Sequence, residues 1–286
     1  MEPSAKVIAD SISPVGHRVT TIEVTMHRMV LAEFNTHRVF SRNSASSRAI
    51  PVEKQLDKFV NTPWMPVDYA AEQRGMQGGS SLTGDDLRDA QGMFSDIHDY
   101  ISSRVTGYLE SHPDKSTRLH KSLINRLLEP MLGHTVIVTA TDWDGFWEQR
   151  CSPLAQPEIR VAADAMCEAY NNSAPDLTEY GEWHLPYFDW EDIGKIAEMM
   201  TDGQLEMSPI ATAKAISAAR CARVSYLTHD GKRDIMKDLE LFERLVSARP
   251  GHWSPLEHVA TPDPAYTAPG NLRGWRQLRH DYEPRT

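Results

Sequence analysis

The chain has 286 residues, 40% hydrophobic and 24% charged, enough to bury a sizeable core as one large domain or two closely packed ones. A formal net charge of -10 speaks against general nucleic-acid binding, which needs surplus Lys and Arg to neutralise phosphates. Three cysteines without CxxC spacing indicate neither a zinc knuckle nor a disulfide framework, and no apolar run approaches the roughly 18 residues of a membrane span. The opening MEPSAKVIADSISP has no basic start followed by a long apolar run, so no signal peptide is expected and a reducing cytoplasm fits best.

In chain order, AKVIAD (5 to 10) and HRVTTIEVT (17 to 25) are β-prone; in the second, Val19, Thr21 and Glu23 alternate with Thr20, Ile22 and Val24. Residues 61 to 84, with NTPW, GMQGGSS and LTG, read as a long surface excursion. Ala90, Phe94, Ile97, Ile101, Val105 and Tyr108 recur at spacings of three and four and predict an amphipathic helix from Leu87 to about Glu110. A second helix is expected from about Ser116 through Leu119, Leu123 and Leu127, stopped by Pro130. HTVIVTAT (134 to 141) is β-branched at nearly every position and predicts a buried strand. Ile159, Ala162, Met166 and Tyr170 mark a helix opening near Ala155, and residues 172 to 190 break every period, reading as a linker or covering segment. Ser208 and Pro209 are start signals for a helix, and Ile235, Leu239, Phe242 and Val246 mark another. Loops follow from Pro250 to Gly270, then a basic patch from Trp275 to His280.

Between the first strands and the excursion lies EFNTHRVFSRNSASSR (33 to 48), with Arg38, Arg42, Arg48, His37, asparagine and five hydroxyls in sixteen positions. Arginine forks and closely spaced hydroxyls supply many directed donors to one anion, so an acidic protein carrying this stretch reads as a binder of a small phosphate-bearing molecule. A solvated basic loop is the plainer alternative. Cys151 sits beside Arg150, a neighbour that lowers a thiol pKa, yet no histidine base accompanies it. Cys167 and Cys221 fall on predicted helices as small core residues. His252 and His258 flank Glu257 without HExxH spacing, so no metal site is expected. His184 has no identified partner, and NLRGWRQLRH reads equally as a second anion contact or a solvated tail.

Four segments together carry a family resemblance: THRVFSRNSASSR (36 to 48), NRLLEP (125 to 130), RCSPLAQPEIR (150 to 160), and CARVSY (221 to 226) with GHWSPLEH (251 to 258). They resemble the motifs of the flavin-dependent thymidylate synthases: an RHR-x-x-S-x-N-x-x-S-x-R signature, an arginine before an AQWEI-like run, an AARVSY-like segment and a GH-x-S-P-F-E-H segment. The order differs from the usual one, since the last two segments here follow the AQPEI run. The chain is thus similar to a circularly permuted, phage-type member, and permutation can preserve a core whose old termini lie close together.

The resemblance implies an α/β fold, a mixed sheet flanked by helices, in a single domain. Residues 1–171 would hold the signature and substrate arginines, 172–204 a linker, and 205–286 the part that is normally N-terminal. It further implies FAD contacts at Thr36, His37, Arg38, Ser225 and Ser254. The nucleotide would be held by Ser44, Ser46, Ser47, Arg48 and Arg126, with Arg150 polarising the pyrimidine ring. The implied reaction is methylation of dUMP at C5 with methylenetetrahydrofolate, FAD and NADPH, in a homotetramer located in the cytoplasm, the host's if the gene is phage-borne. A guanidinium against the N3, C4, O4 edge stabilises charge as C5 attacks the one-carbon donor.

Departures from the pattern gather at the ligands: Thr36 for the first arginine, Ser44 for an acidic residue, Glu33 for glutamine, Gly145 for asparagine and Pro157 for tryptophan. They keep open action on dCMP or formation of a hydroxymethyl product, and, in a different class, a non-catalytic nucleotide-binding protein.

Overall fold

The computed structural model describes residues 2–224, 234–265 and 270–283. Strands β1 (Ser4–Ile12) and β2 (Arg18–His27) form an antiparallel hairpin; β2 pairs antiparallel with β4 (Gly133–Ala140), and β4 with β3 (Ser41–Ser44). The two-residue β5 (Asp176–Leu177) adds parallel to β1, giving a five-stranded mixed sheet ordered β3-β4-β2-β1-β5. The expected α/β architecture is therefore present, and both early strands and the 134 to 141 strand lie where their side chains predict.

Alternation along β2 and β4 puts two different layers on the two faces of the sheet. Ile22, Val24, Val136 and Val138 pack with Phe34, Phe40, Phe146 and the buried side of α6 (Pro157–Asn171), namely Ile159, Ala162 and Met166. On the other face, Ile137 meets Cys221 and Val224 of the segment around α8 (Pro209–Arg223), and Val19 packs with Ala260, Leu272 and Trp275. Residues after 205, together with His184 and Tyr187, thus pack on this face of the sheet. The short hairpin among them, β6 (Ala260–Pro262) with β7 (Trp275–Gln277), is bridged to His184.

The remaining helices are α1 (Leu31–Phe34), α2 (Val52–Asn61), α3 (Gly84–Ser111), α4 (Lys121–Leu128), α5 (Asp144–Arg150), α7 (Trp190–Thr201), α9 (Ile235–Ser247) and α10 (Arg279–Tyr282). Three depart from the sequence expectation. In α3 the expected stripe packs on the core through Phe94, Ile101, Val105 and Tyr108, but Ile97 is exposed and His98, outside the stripe, is buried. In α4 the inward side chains are Ile124, Asn125 and Leu128, while Leu119 ahead of it and Leu123 and Leu127 on it are exposed. The helix is rotated so that a polar amide, not the leucine row, faces inward. Helix α7 occupies much of the expected linker, started by a capping box in which Asp189 and Asp192 satisfy each other's backbone amides.

His184 is not idle. It is buried, with Nε2 2.8 Å from Thr21 Oγ1 and Nδ1 2.9 Å from Ser11 Oγ. Thr21 continues to Thr139 Oγ1 at 2.7 Å, and Thr139 to His258 Nδ1 at 2.8 Å, so a buried polar chain crosses the sheet from Ser11 to His258. Burial lowers the pKa of His184 to about 4 and that of His258 to about 3, and His134, buried beside Arg28, is likewise near 3. In the unfolded chain a histidine takes its proton near pH 6.5. Below that pH the unfolded state binds protons that the native state refuses until pH 3 to 4. Stability from these sites is therefore complete above about pH 6.5 and is lost on acidification, each contributing a slope of about 1.4 kcal/mol per pH unit. Urea midpoints at pH 7 and pH 5 should differ accordingly, and His184→Gln, which removes one titrating site, should flatten the dependence.

Candidate active site

The arginine-rich stretch folds as α1, a turn through residues 35 to 40, and β3, with the backbone of the turn held from within. Arg42, on β3, donates from Nη1 to the carbonyl of His37 at 3.0 Å and of Phe34 at 3.4 Å. Arg42 is thus a structural member of the arginine set. Phe40 packs at 5.8 Å from Phe34 and 5.1 Å from Phe146, making an aromatic floor on which His37 lies, 4.9 Å from Phe146 and 5.7 Å from Phe40.

Arg150, the last residue of α5, reaches this turn from 113 residues away. Its Nε donates to His37 Nε2 at 2.9 Å, and its Nη2 donates to Thr36 Oγ1 at 3.1 Å and to the Glu33 carbonyl at 3.4 Å. For Nε2 to accept, the imidazole must be neutral with its proton on Nδ1. Burial, then the charges of Arg150 and Arg42, lower the His37 pKa to about 4, so the ring is neutral at physiological pH. One carboxylate oxygen of Glu33, Oε2, is buried with no hydrogen-bond partner.

Asn43 joins this edge of the sheet to the C-terminal segment. Its Nδ2 donates to the carbonyl of Cys221 at 2.9 Å, and the exposed Ser254 hydroxyl donates to its Oδ1 at 3.3 Å. Ser44 ends β3, Ser46 and buried Ser47 follow in a tight turn, and Arg48 is exposed. Within that turn Ser46 Oγ accepts from the Arg48 amide at 3.3 Å. Arg38 is exposed as well, and neither Arg38 nor Arg48 forms an ion pair among the described residues. Arg126, 62% exposed on α4, pairs with Glu129 at 3.2 Å and touches none of the other expected site residues. Ser225 lies outside the described residues.

The structure therefore brings Thr36, His37 and Arg150 into one hydrogen-bonded group, and joins Ser254 to β3. Asn43 and Phe146, which join β3 to the C-terminal segment and support His37, were not among the expected site residues; the asparagine of the N-x-x-S-x-R run was a signal for the first, while nothing local distinguishes the second.

Cys151 is not primed as a nucleophile. Burial, aided by Asp164, pushes its thiol up to about 12, the opposite of what a neighbouring arginine alone would give. Cys151→Ala should leave turnover at the wild-type level, whereas a loss as large as that of an Arg150 variant would return the thiol to the chemistry. Nor does the basic patch near the C-terminus stand free: Arg276 pairs with Asp281, and Arg279 with Glu257 and Glu283.

Two solved structures of a UMP/dUMP methylase PolB from Streptomyces cacaoi are similar to the chain. The one bound with 5-Br UMP has a TM-score of 0.46 at 13% identity, covering 59% of this chain and 88% of that one. The one bound with 5-Br dUMP has a TM-score of 0.44 at 14% identity, covering 59% and 90%. A search of curated proteins returns no match. The family model described as Thymidylate synthase complementing protein matches residues 7–176, more than half of the chain. The chain therefore belongs to that family, the flavin-dependent thymidylate synthases its motifs resemble, and is a thymidylate synthase-like methyltransferase.

Proposed function

We propose that the enzyme methylates C5 of a deoxypyrimidine monophosphate, converting dUMP to dTMP with the methylene of methylenetetrahydrofolate, and that it works as a homotetramer. The observation that carries this reading is the guanidinium of Arg150, fixed by neutral His37 and Thr36 on the arginine-rich turn. A guanidinium oriented by two neutral partners keeps its charge for a third one, and a pyrimidine carbonyl gaining negative charge is such a partner. C5 forms its bond to the methylene carbon as the first of that carbon's two bonds to folate nitrogen breaks; the C5 proton is lost as the second breaks, and a hydride then completes the methyl group. Arg48, with the hydroxyls of Ser44, Ser46 and Ser47 and with Arg126, would hold the 5'-phosphate and so orient the ring.

The donor set suits FAD. Arg38 is an exposed cation without an ion pair among the described residues, and the neutral imidazole of His37 beside it carries its proton on Nδ1. The hydroxyls of Thr36 and Ser254, which donate to the Glu33 carbonyl and to Asn43, would turn to the cofactor as acceptors. Bound there, FAD would carry hydride from NADPH to the transferred methylene, work that no side chain can do.

A second reading is favoured by Glu33. It stands where the family pattern has glutamine, and a carboxylate there could only accept, as from the exocyclic amine of a cytosine, so dCMP is the competing substrate, with a hydroxymethyl product if water captures the methylene. The test is to incubate purified enzyme with dUMP or dCMP, labelled methylenetetrahydrofolate, FAD and NADPH, and weigh the product. A methyl mass on dUMP with NADPH oxidised is expected. A hydroxymethyl mass without NADPH oxidation, or a product only from dCMP, would replace the leading reading with the second.

A further inference from the structure

Helix α4 makes an unusual set of contacts with the turn that follows β3. Asn125, fully buried, donates from Nδ2 to the carbonyl of Ser47 at 2.7 Å and of Ile50 at 3.0 Å. Two carbonyl acceptors on one side-chain nitrogen fix the amide's orientation, since only the NH₂ end can serve both. One helical turn earlier, on the same face, Lys121 Nζ donates to the carbonyl of Ala49 at 2.9 Å. Three carbonyls within four residues are thereby drawn to α4 by two side chains. Each peptide is planar and trans, so drawing in the carbonyls of Ser47 and Ala49 turns the amides of Arg48 and Ile50 to the opposite side. The turn is closed by the Ala49 amide on the Ser46 carbonyl at 2.9 Å. The Asn125 Oδ1 stays buried without a donor, so the asparagine is not placed to satisfy its own polar groups; what it satisfies is the turn.

Burial alone does not account for this choice. A leucine would fill the space at 125 and match the flanking Ile124 and Leu128, yet the position holds an amide whose bonds both go to the segment bearing Ser46, Ser47 and Arg48. Arg126, next on the helix, is then tied in register to the same turn.

We infer that Asn125 and Lys121 are positioning residues for the substrate's phosphate. They hold the backbone of residues 47 to 50 so that Ser46, Ser47 and Arg48 receive the anion together, and they couple that turn to Arg126. This rests on the reading that these residues bind a nucleotide 5'-phosphate.

Asn125→Asp keeps size and shape but sets a carboxylate against two carbonyls; Lys121→Met removes one bond from a half-buried position and guards against a variant that fails to fold. Dissociation constants for dUMP and for deoxyuridine, which lacks the phosphate, would be measured on wild type and both variants, with kcat and KM alongside. The expected result is dUMP binding weakened about tenfold by Asn125→Asp, the worth of one or two hydrogen bonds, and severalfold by Lys121→Met. The deoxyuridine constant should stay near wild type, and the loss in kcat/KM should appear for dUMP alone. Equal weakening of dUMP and deoxyuridine would show a general structural role and overturn the inference, as would unchanged dUMP binding in variants with wild-type thermal stability. Failure of the wild type itself to bind dUMP would overturn the nucleotide reading beneath it, and is distinguishable because no variant is needed to see it.

Discussion

Arg150→Ala should lower kcat by roughly two to three orders of magnitude, the loss that follows removal of one donor aimed at developing charge. The protein should stay folded and, on the proposed reading, still bind FAD. Arg150 is only partly buried, and its partners are a hydroxyl, a carbonyl and a neutral ring nitrogen, none of which becomes a stranded charge when it is removed. Arg150→Lys preserves the charge but not the planar fork that reaches His37 and Thr36 at once, so it should recover only part of the activity. The substitution also has a signature apart from turnover. The charge of Arg150 is one of the causes keeping the His37 pKa near 4, so in Arg150→Ala the imidazole should titrate closer to its ordinary range, visible as a rise in its NMR midpoint. An unmoved His37 midpoint would mean that the pair seen at 2.9 Å is not maintained in solution.

Arg220→Ala should be the most damaging single change to stability. Arg220, buried on α8, donates from Nη1 and Nη2 to the two oxygens of Asp192 on α7 at 2.6 and 2.8 Å. Its Nε donates to Asp238 on α9 at 2.9 Å, and Nη1 also reaches the Tyr187 carbonyl at 2.7 Å. Asp192 and Asp238 are buried too, and burial, opposed by Arg220 and Arg223, raises the pKa of Asp238. Taking away the guanidinium removes two charge-assisted bonds from the buried Asp192 and one from Asp238, which keeps Arg223 at 2.9 Å, a loss of about 3–5 kcal/mol by comparison with other broken buried pairs. Urea denaturation would read it as a lowered midpoint at unchanged slope. Adding Asp192→Asn to an Arg220→Met background should return much of the loss, because the buried charge that faced Arg220 is gone while Arg223 still pairs with Asp238. A midpoint unchanged by Arg220→Ala would mean that the three helices are held by their apolar contacts alone.

The sheet was legible in the sequence because β-branched residues in period two leave few alternatives, as in Val19 to Val24 and in HTVIVTAT. What could not be read was which face a helix turns inward when a buried polar group decides it. The leucine row of α4 matched an amphipathic pattern, yet Asn125 faces in because its amide satisfies two backbone carbonyls from another segment. Helix α7 was readable in hindsight from the D-x-x-D capping box and the spacing of Ile193, Ile196 and Met200, but the Pro and aromatic residues before it masked the start. At the site, residue types were informative while partnerships were not. Nothing in the local sequence separates Arg42, spent on backbone carbonyls, from Arg38 and Arg48, exposed and without ion pairs among the described residues. The pairing of Arg150 with His37 depends on how α5 docks against the turn, which is a property of the aromatic cluster between them.

Release of tritium from the C5 position of labelled dUMP tests the role of Arg150 most directly, because the C5 proton must leave if the ring is activated there. Wild type supplied with methylenetetrahydrofolate, FAD and NADPH should release tritium to water in step with dTMP formation, and Arg150→Ala, with flavin still bound, should release almost none. Equal release by the two enzymes would contradict the assignment of ring activation to Arg150.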